Sequence, residues 1–346
     1  MIYQISGPNI NGVSAVSATK TNVGLRPEIT DSIAWKAGIA VLSALIAAPP
    51  ATADSGCALN QVADLPASFS GGEIAVDVGV NGQKARFALS TGSNITLINE
   101  ALVKRLVLPE VDMHQRLVSQ KGTQEAMNAL VQDFTIGAAV SHANRFYVDP
   151  DGGDGTDGGV TGMVGLDYLS HFDIELDPAQ SRVKLFQPIS CERAVYWWDD
   201  HFEVPFTLNA VSEPIITINV DGRPYRASIS VASPRSSIDI AEAHRNLKVP
   251  ESIQPGAENS ADPDYTFKEL VFGPITLRNP KMLLTRYKAT AVDTGSHIRL
   301  TTSNDAPIIL GMDVLGKFHS MISFGSGKIY FTLPNERKPA PAAAKQ

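Results

Sequence analysis

Apolar residues alternate along Glu73–Val80, with Ile74, Val76, Val78 and Val80 on one face. A period of two marks a strand with one buried side. Asn81-Gly82 follows, a pair that favours a tight hairpin because both residues tolerate positive φ. Phe87 and Leu89 resume the alternation in a return strand. Ala101–Leu108 reads as a helix ended by Pro109, whose ring and missing N–H stop helical bonding. Ala241–Val249 followed by Pro250 reads the same way. Short strands are expected at Arg182–Phe186 and Lys328–Phe331, and the Gly/Asp-rich residues 150–160 at a loop.

The whole succession occurs twice. Val76-Asp-Val-Gly-Val-Asn81-Gly82, then Arg86-Phe-Ala-Leu-Ser90-Thr91-Gly92-Ser93, then Ile98 form the first copy. Ile216-Thr-Ile-Asn-Val-Asp221-Gly222, then Arg226-Ala-Ser-Ile-Ser230-Val231-Ala232-Ser233, then Ile238 form the second, at a constant offset of 140. Met163-Val164-Gly165-Leu-Asp167-Tyr-Leu169 matches Ile309-Leu310-Gly311-Met-Asp313-Val-Leu315 at an offset of 146. A repeat of domain size means two homologous lobes rather than a solenoid. The expected fold is mostly β: two tandem barrel lobes in one bilobed body. Lobe one is expected at 71–188 and lobe two at 202–333, joined by a connector at 189–201. A tail at 334–346 is expected to be disordered, and an arm at 54–70 to precede lobe one.

An apolar strand, Ser90-Thr91-Gly92-Ser93, and a downstream hydrophobic-hydrophobic-Gly resemble the aspartic peptidases of the retropepsin and pepsin type. The tandem arrangement, with a leading Cys and a Cys…Tyr-Trp connector, resembles bacterial exported proteins of the aspartyl protease family over roughly 57–333. The resemblance implies a bilobed pepsin-like body and puts Ser90 and Ser230 where the family carries its two aspartates. Such a pair shares one proton, so one carboxylate activates water while the other polarises the carbonyl. Serine hydroxyls stay protonated near neutrality and cannot act as that base. Lobe one keeps Thr91 and Gly92, whereas Val231 and Ala232 replace both in lobe two. The resemblance therefore implies no catalytic residue at these six positions and a cleft that binds peptide or an unfolded protein segment without cutting it. Gly165 and Gly311 would support that cleft. Lys121-Gly122-Thr123 would supply a flap tip at Gly122, with Pro255-Gly-Ala-Glu-Asn259 as its counterpart.

Other groups could carry chemistry. Asp293-Thr294-Gly295-Ser296 spells the family's active-site motif, but Gly311 follows Gly295 by only 16 residues, so Asp293 is expected in a loop. The alternative is an active aspartic endopeptidase using Asp293 or another acid. Asp167 and Asp313 are expected to cap short helices. His171 and His319 nearly coincide in the repeats and are expected on a surface turn; the histidines form no recognised triad, and no Gly-x-Ser-x-Gly elbow occurs. Tyr196-Trp197-Trp198 is expected to pack where the lobes meet.

Composition narrows the partners. The net charge is −7, with 43% hydrophobic and 19% charged residues, and no basic run, which argues against nucleic acid. Lys36, the apolar Ala37–Ala47 and the small residues Ala51-Thr-Ala53 resemble an export signal at about 33–53. That apolar run is too short to span a bilayer. A periplasmic or secreted location follows, with about 35 residues ahead of the signal. The two cysteines, Cys57 and Cys191, then read as one disulfide. Asp54-Ser-Gly-Cys57 lacks the apolar residue of a lipidation motif. Two cysteines without clustered histidines make no zinc site, so no metal or cofactor is expected, and the chain is expected to be a monomer. A structural envelope protein without a working cleft is a third possibility.

Overall fold

The computed structural model describes residues 60–332 apart from 70–71, 120–121, 154, 156–158, 189–200, 211, 255, 257–261, 287–289, 294–298 and 303–305. At 114–119, 122–125, 290–293 and 299–302 it describes the backbone path alone. The export-like segment, Cys57, Cys191, the Tyr196–Trp198 aromatics, the tip residue Lys121, most of 255–259 and the tail lie outside the described residues.

Lobe one runs β1 (Gln61–Ser68), β2 (Ala75–Val80), β3 (Gln83–Leu89), β4 (Leu97–Asn99), α1 (Glu100–Leu106), β5 (Glu110–Ser119), β6 (Gly122–Ile136), β7 (Ala139–Asp149), β8 (Gly162–Val164), α2 (Leu166–Leu169), β9 (Asp173–Asp177) and β10 (Arg182–Phe186). Lobe two runs β11 (Phe202–Pro205), β12 (Thr207–Leu208), β13 (Pro214–Val220), β14 (Arg223–Ile229), β15 (Ser237–Asp239), α3 (Ile240–Leu247), β16 (Asp264–Thr266), β17 (Glu269–Phe272), β18 (Ile275–Arg278), β19 (Lys281–Thr285), β20 (Thr290–Asp293), β21 (Arg299–Thr302), β22 (Ile308–Leu310), α4 (Met312–Leu315), β23 (His319–Ser323) and β24 (Lys328–Thr332). The chain is mostly β, as its period-two pattern requires.

The two lobes repeat at the level of single bonds. Asn81-Gly82 and Asp221-Gly222 both turn with positive φ, 49° and 76° against 49° and 78°. In each hairpin the first side chain also holds the neighbouring strand. Asn81 Oδ1 accepts from Asp133 N–H at 3.0 Å, and Asp221 Oδ1 accepts from Glu269 N–H at 3.0 Å. Strand β8 lies between β3 (parallel) and β4 (antiparallel), as β22 lies between β14 and β15. Contact of β2 with β6 closes the first lobe, and contact of β13 with β17 is its counterpart. Helices α1 and α3 each end on a left-handed residue, Val107 and Lys248, just before the expected prolines.

Strands β23 and β9 pair antiparallel, Met321 opposite Glu175, so one hydrogen-bonded sheet β11-β24-β23-β9-β10-β1 runs through both lobes. The segment expected to be an arm supplies its last strand, β1, bonded to β10 and β2. Asp173 and Glu175 on β9 are fully buried, because lobe two covers them. Ser323 O–H donates to Asp173 at 2.9 Å, and His319 Nε2 and Lys184 Nζ lie 2.8 and 3.0 Å from Glu175. His319 is thus buried in β23 rather than on a surface turn, while His171 is exposed. The helix-end offset of 146 aligns His319 with Asp173, two positions beyond His171.

Candidate functional site at the paired serine turns

Each serine ends a strand that a neighbouring parallel strand holds in place. Ser90 follows β3 and its N–H donates to Val164 O at 2.9 Å; Ser230 follows β14 and its N–H donates to Leu310 O at 3.0 Å. The next turn is pinned in the same way twice, by Leu166 N–H to Ser93 O at 2.7 Å and Met312 N–H to Ser233 O at 2.8 Å.

A three-part network sets the floor of each turn. Thr96 O–H donates to Asp167 at 2.7 Å and its oxygen accepts from Gly165 N–H at 3.0 Å. Ser236 O–H donates to Asp313, and its oxygen accepts from Gly311 N–H at 3.0 Å. Asp167 and Asp313 also accept from the N–H groups of Thr96 and Ser236, both at 2.9 Å. They are therefore not caps as expected: Gly165 and Gly311 occupy the cap positions of α2 and α4. The carboxylates instead fix the strand beyond the serine turn. Both glycines supply close approach. A Cβ on Gly165 would stand 2.2 Å from Ile95 O, and one on Gly311 2.6 Å from Ser233 O. Sequence reading missed Thr96 and Ser236. Their signal is the offset of 140 that they share with the serines.

The turns meet across the lobes. Buried Thr91 O–H donates to Ile229 O at 2.7 Å and accepts from Val231 N–H at 3.1 Å. The reciprocal bonds need a hydroxyl at Val231, so the clamp is one-sided. A Cβ on Gly92 would stand 2.9 Å from Ser230 Oγ. Ser90 and Ser230 are 3% and 6% exposed. Ser233 O–H donates to Ser230 Oγ at 2.8 Å. No group among the described residues bonds the Ser90 hydroxyl, and no described carboxylate bonds either serine. Beyond the lobe-two turn, Arg235 pairs with Asp264 and lies 3.9 Å from Asp313.

Asp293 ends β20, whose register sets it opposite Arg299 in a separate two-stranded ladder. That is a strand where a loop was expected; the Asp293 side chain lies outside the described residues. Gly122 opens β6 opposite Ser119 at the end of a long hairpin. Among the described residues no cluster of three or more His, Cys, Asp or Glu could hold a metal, and no helix is long and apolar enough to cross a membrane.

Residues 76–171 match the gag-polyprotein putative aspartyl protease family. The match runs from β2 to the turn after α2 and includes Ser90, Thr96, Gly165 and Asp167. The match lies wholly within lobe one. No curated protein matches the chain. Among solved structures, basic 7S globulin from soybean is 12% identical, covering 80% of this chain and 95% of its own, with a TM-score of 0.43. A retropepsin-like aspartic protease from Rickettsia conorii is 15% identical, covering 38% of this chain and 92% of its own, with a TM-score of 0.27.

Proposed function

We propose that the chain is an exported homologue of retropepsin-like aspartic peptidases that does not hydrolyse peptide bonds and binds peptide or an unfolded protein segment between its lobes. One observation carries this reading. Thr91 and Gly92 lie against the Ser230 turn, and Ser90 and Ser230, where the resemblance expects acids, both carry hydroxyls. A neutral hydroxyl pair cannot hold the shared proton that activates water, and loss of general acid–base help alone costs about 10²–10⁴ in rate. The scaffold around the turns is complete in both lobes, which favours a retained binding role over an eroded fold. Export and a Cys57–Cys191 disulfide belong to the same reading, on the strength of the 33–53 segment.

The test is proteolysis of a reduced, carboxymethylated protein by the purified chain at acidic pH, with and without pepstatin, alongside binding to a peptide array. Binding without cleavage is expected. Pepstatin-sensitive cleavage overturns the reading and establishes an acid outside the serine turns, with Asp293→Asn as the next variant. Neither binding nor cleavage favours a structural role.

A further inference from the structure

We infer that a pocket between β7 and α2 of lobe one binds a small aromatic monocarboxylate, either free or as the C-terminal residue of a peptide. This site goes beyond the reading above and does not depend on it, because no residue of either serine turn lines the pocket. Its volume is about 370 Å³, and its walls come from Arg145 and Phe146 of β7, Asp167 and Tyr168 of α2, and His171 and Phe172 just after it. That size lies near the small end of ligand pockets, about 300–1,000 Å³, and suits one ring with a short acidic arm. The ring wall is already set. Phe146 is buried, and Tyr168 and Phe172 are half-buried. Phe134 meets Phe146 and Tyr168 edge-on, with ring centres 5.0 and 5.1 Å apart, and Tyr168 lies tilted against Phe172 at 5.9 Å. Aromatic walls favour a flat ring, through edge-to-face or offset contact as well as buried area.

The polar lining sets the sign of the ligand. Ser141 O–H donates to Asn144 Oδ1 at 2.6 Å, and the Asn144 amide donates back to Ser141 O at 3.0 Å, so this pair is satisfied. Both oxygens of Asp167 accept from Thr96. His171 Nδ1 lies 3.2 Å from Tyr168 O. Arg145 is exposed and has no ion pair or side-chain hydrogen bond among the described residues, so its donors are unspent. A guanidinium matches a carboxylate with two parallel bonds and also stacks on aromatic faces. With the Asp167 charge in the same wall, a single negative charge suits the pocket better than two. The lining is particular to lobe one. Where lobe one has Phe146, Tyr168 and His171, lobe two carries Met282, Val314 and Lys317. Phe318, the counterpart of Phe172, is buried against Phe202 and Phe331. Asp313 has Arg235 3.9 Å away, whereas the matching position beside Asp167 is Ile95.

The experiment titrates the full chain at neutral pH and follows the fluorine signal of 3-(4-fluorophenyl)propionate. Its amide, 2-phenylethylamine, and acetyl-Ala-Ala-Phe as acid and as amide are the comparison ligands, and Arg145→Gln is the variant. The acid is expected to bind with a Kd on the order of 0.1–1 mM, as suits about a dozen non-hydrogen atoms. The amide is expected to bind about 3- to 10-fold more weakly, the worth of a charged contact at an exposed site. Arg145→Gln is expected to weaken the acid by the same factor and to leave the amide nearly unchanged. Arg145 is exposed, so the substitution spares the core, and the acid–amide comparison on the unaltered protein stands without it. Displacement by the peptide acid but not by the peptide amide supports the site with a chain terminus as its ligand; displacement by free 3-phenylpropionate alone supports it with a small molecule. Equal binding of acid and amide, or an amine that binds as tightly as the acid, overturns the carboxylate. An acid that ignores Arg145→Gln is bound elsewhere, and one that shows no binding up to about 10 mM is not bound at all; either result overturns the site. None of these outcomes touches the reading of the cleft between the lobes.

Discussion

Ser90-Thr91-Gly92-Ser93 and Ser230-Val231-Ala232-Ser233 occupy the same place in the two lobes, yet their surroundings have diverged unequally. The bonds that shape each turn from behind are duplicated: hydroxyl to glycine N–H, carboxylate to hydroxyl and N–H, and the strand inserted between its neighbours. The bonds that join the turns to each other come from lobe one alone, through Thr91. Shape within a lobe is therefore held twice, and contact between the two turns is held once. A position that sets the shape should be equally costly to lose in either lobe, whereas a position in the contact should be asymmetric.

The largest effect is expected from the shared scaffold. Gly165→Ala and Gly311→Ala would push a methyl into main-chain atoms at 2.2 and 2.6 Å, which cannot rotate away. Each is expected to lower stability in urea titration by about 3 kcal/mol or more, at the upper end for overpacked sites. If one lobe tolerates the change, the scaffolds are not equivalent.

The clamp is the next place to break the comparison. Thr91→Val leaves buried Ile229 O and Val231 N–H without their partner, and unsatisfied buried groups cost about 1–3 kcal/mol each. A loss of about 2–5 kcal/mol is expected in urea titration, nearly all of it in the contact between lobes. Val231→Thr is the converse. Its hydroxyl would meet the main chain of lobe one as Thr91 meets lobe two, and a gain of about 1 kcal/mol per bond formed is expected. A loss from Thr91→Ser with none from Thr91→Val would show that the methyl, not the hydroxyl, joins the turns.

Gly92→Ala tests how tightly the turns approach. The added methyl meets the Ser230 hydroxyl at 2.9 Å, a side-chain atom that can shift, so a cost of about 1–2 kcal/mol is expected. In a Ser230→Ala background the cost should fall, because the oxygen is gone. An unchanged cost in that background means the methyl strikes something else.

What the sequence revealed follows the range of each cause. The Asn81-Gly82 and Asp221-Gly222 hairpins are set by neighbours in sequence, and the turn chemistry reads directly. The glycine blocks read because they recur. Strand β1 did not read: Ala63, Leu65 and Ala67 alternate only weakly, and β1 is a strand because β10 lies beside it. The roles of Asp167 and Asp313 depend on Thr96 and Ser236, 71 and 77 residues away, which local pattern cannot reach. His319 was misread because a near coincidence with His171 hid the two-residue difference that moves it onto a buried strand.

The smallest effect concerns a second shared position. Glu73 and Glu213 precede β2 and β13 at the offset of 140, and burial raises the carboxyl of each above its ordinary value of 4.5. Opposing influences differ: the Arg86 charge pulls Glu73 back, whereas the neutral Asn209 amide, 2.8 Å from Glu213, does so in lobe two. In the unfolded chain both titrate near 4.5, and the folded chain keeps the proton to higher pH. Stability is then greatest below the unfolded value and declines as pH climbs through the window up to the raised folded value. Glu73→Gln and Glu213→Gln should each remove that decline, gaining less than about 1 kcal/mol at neutral pH and nothing in acid. Salt should separate the two. Screening weakens the Arg86 attraction, so the gain from Glu73→Gln should grow with ionic strength, while the gain from Glu213→Gln should hold steady. Urea titrations of the two variants across pH at low and high salt decide it. Equal salt responses would mean that Arg86 does not govern Glu73.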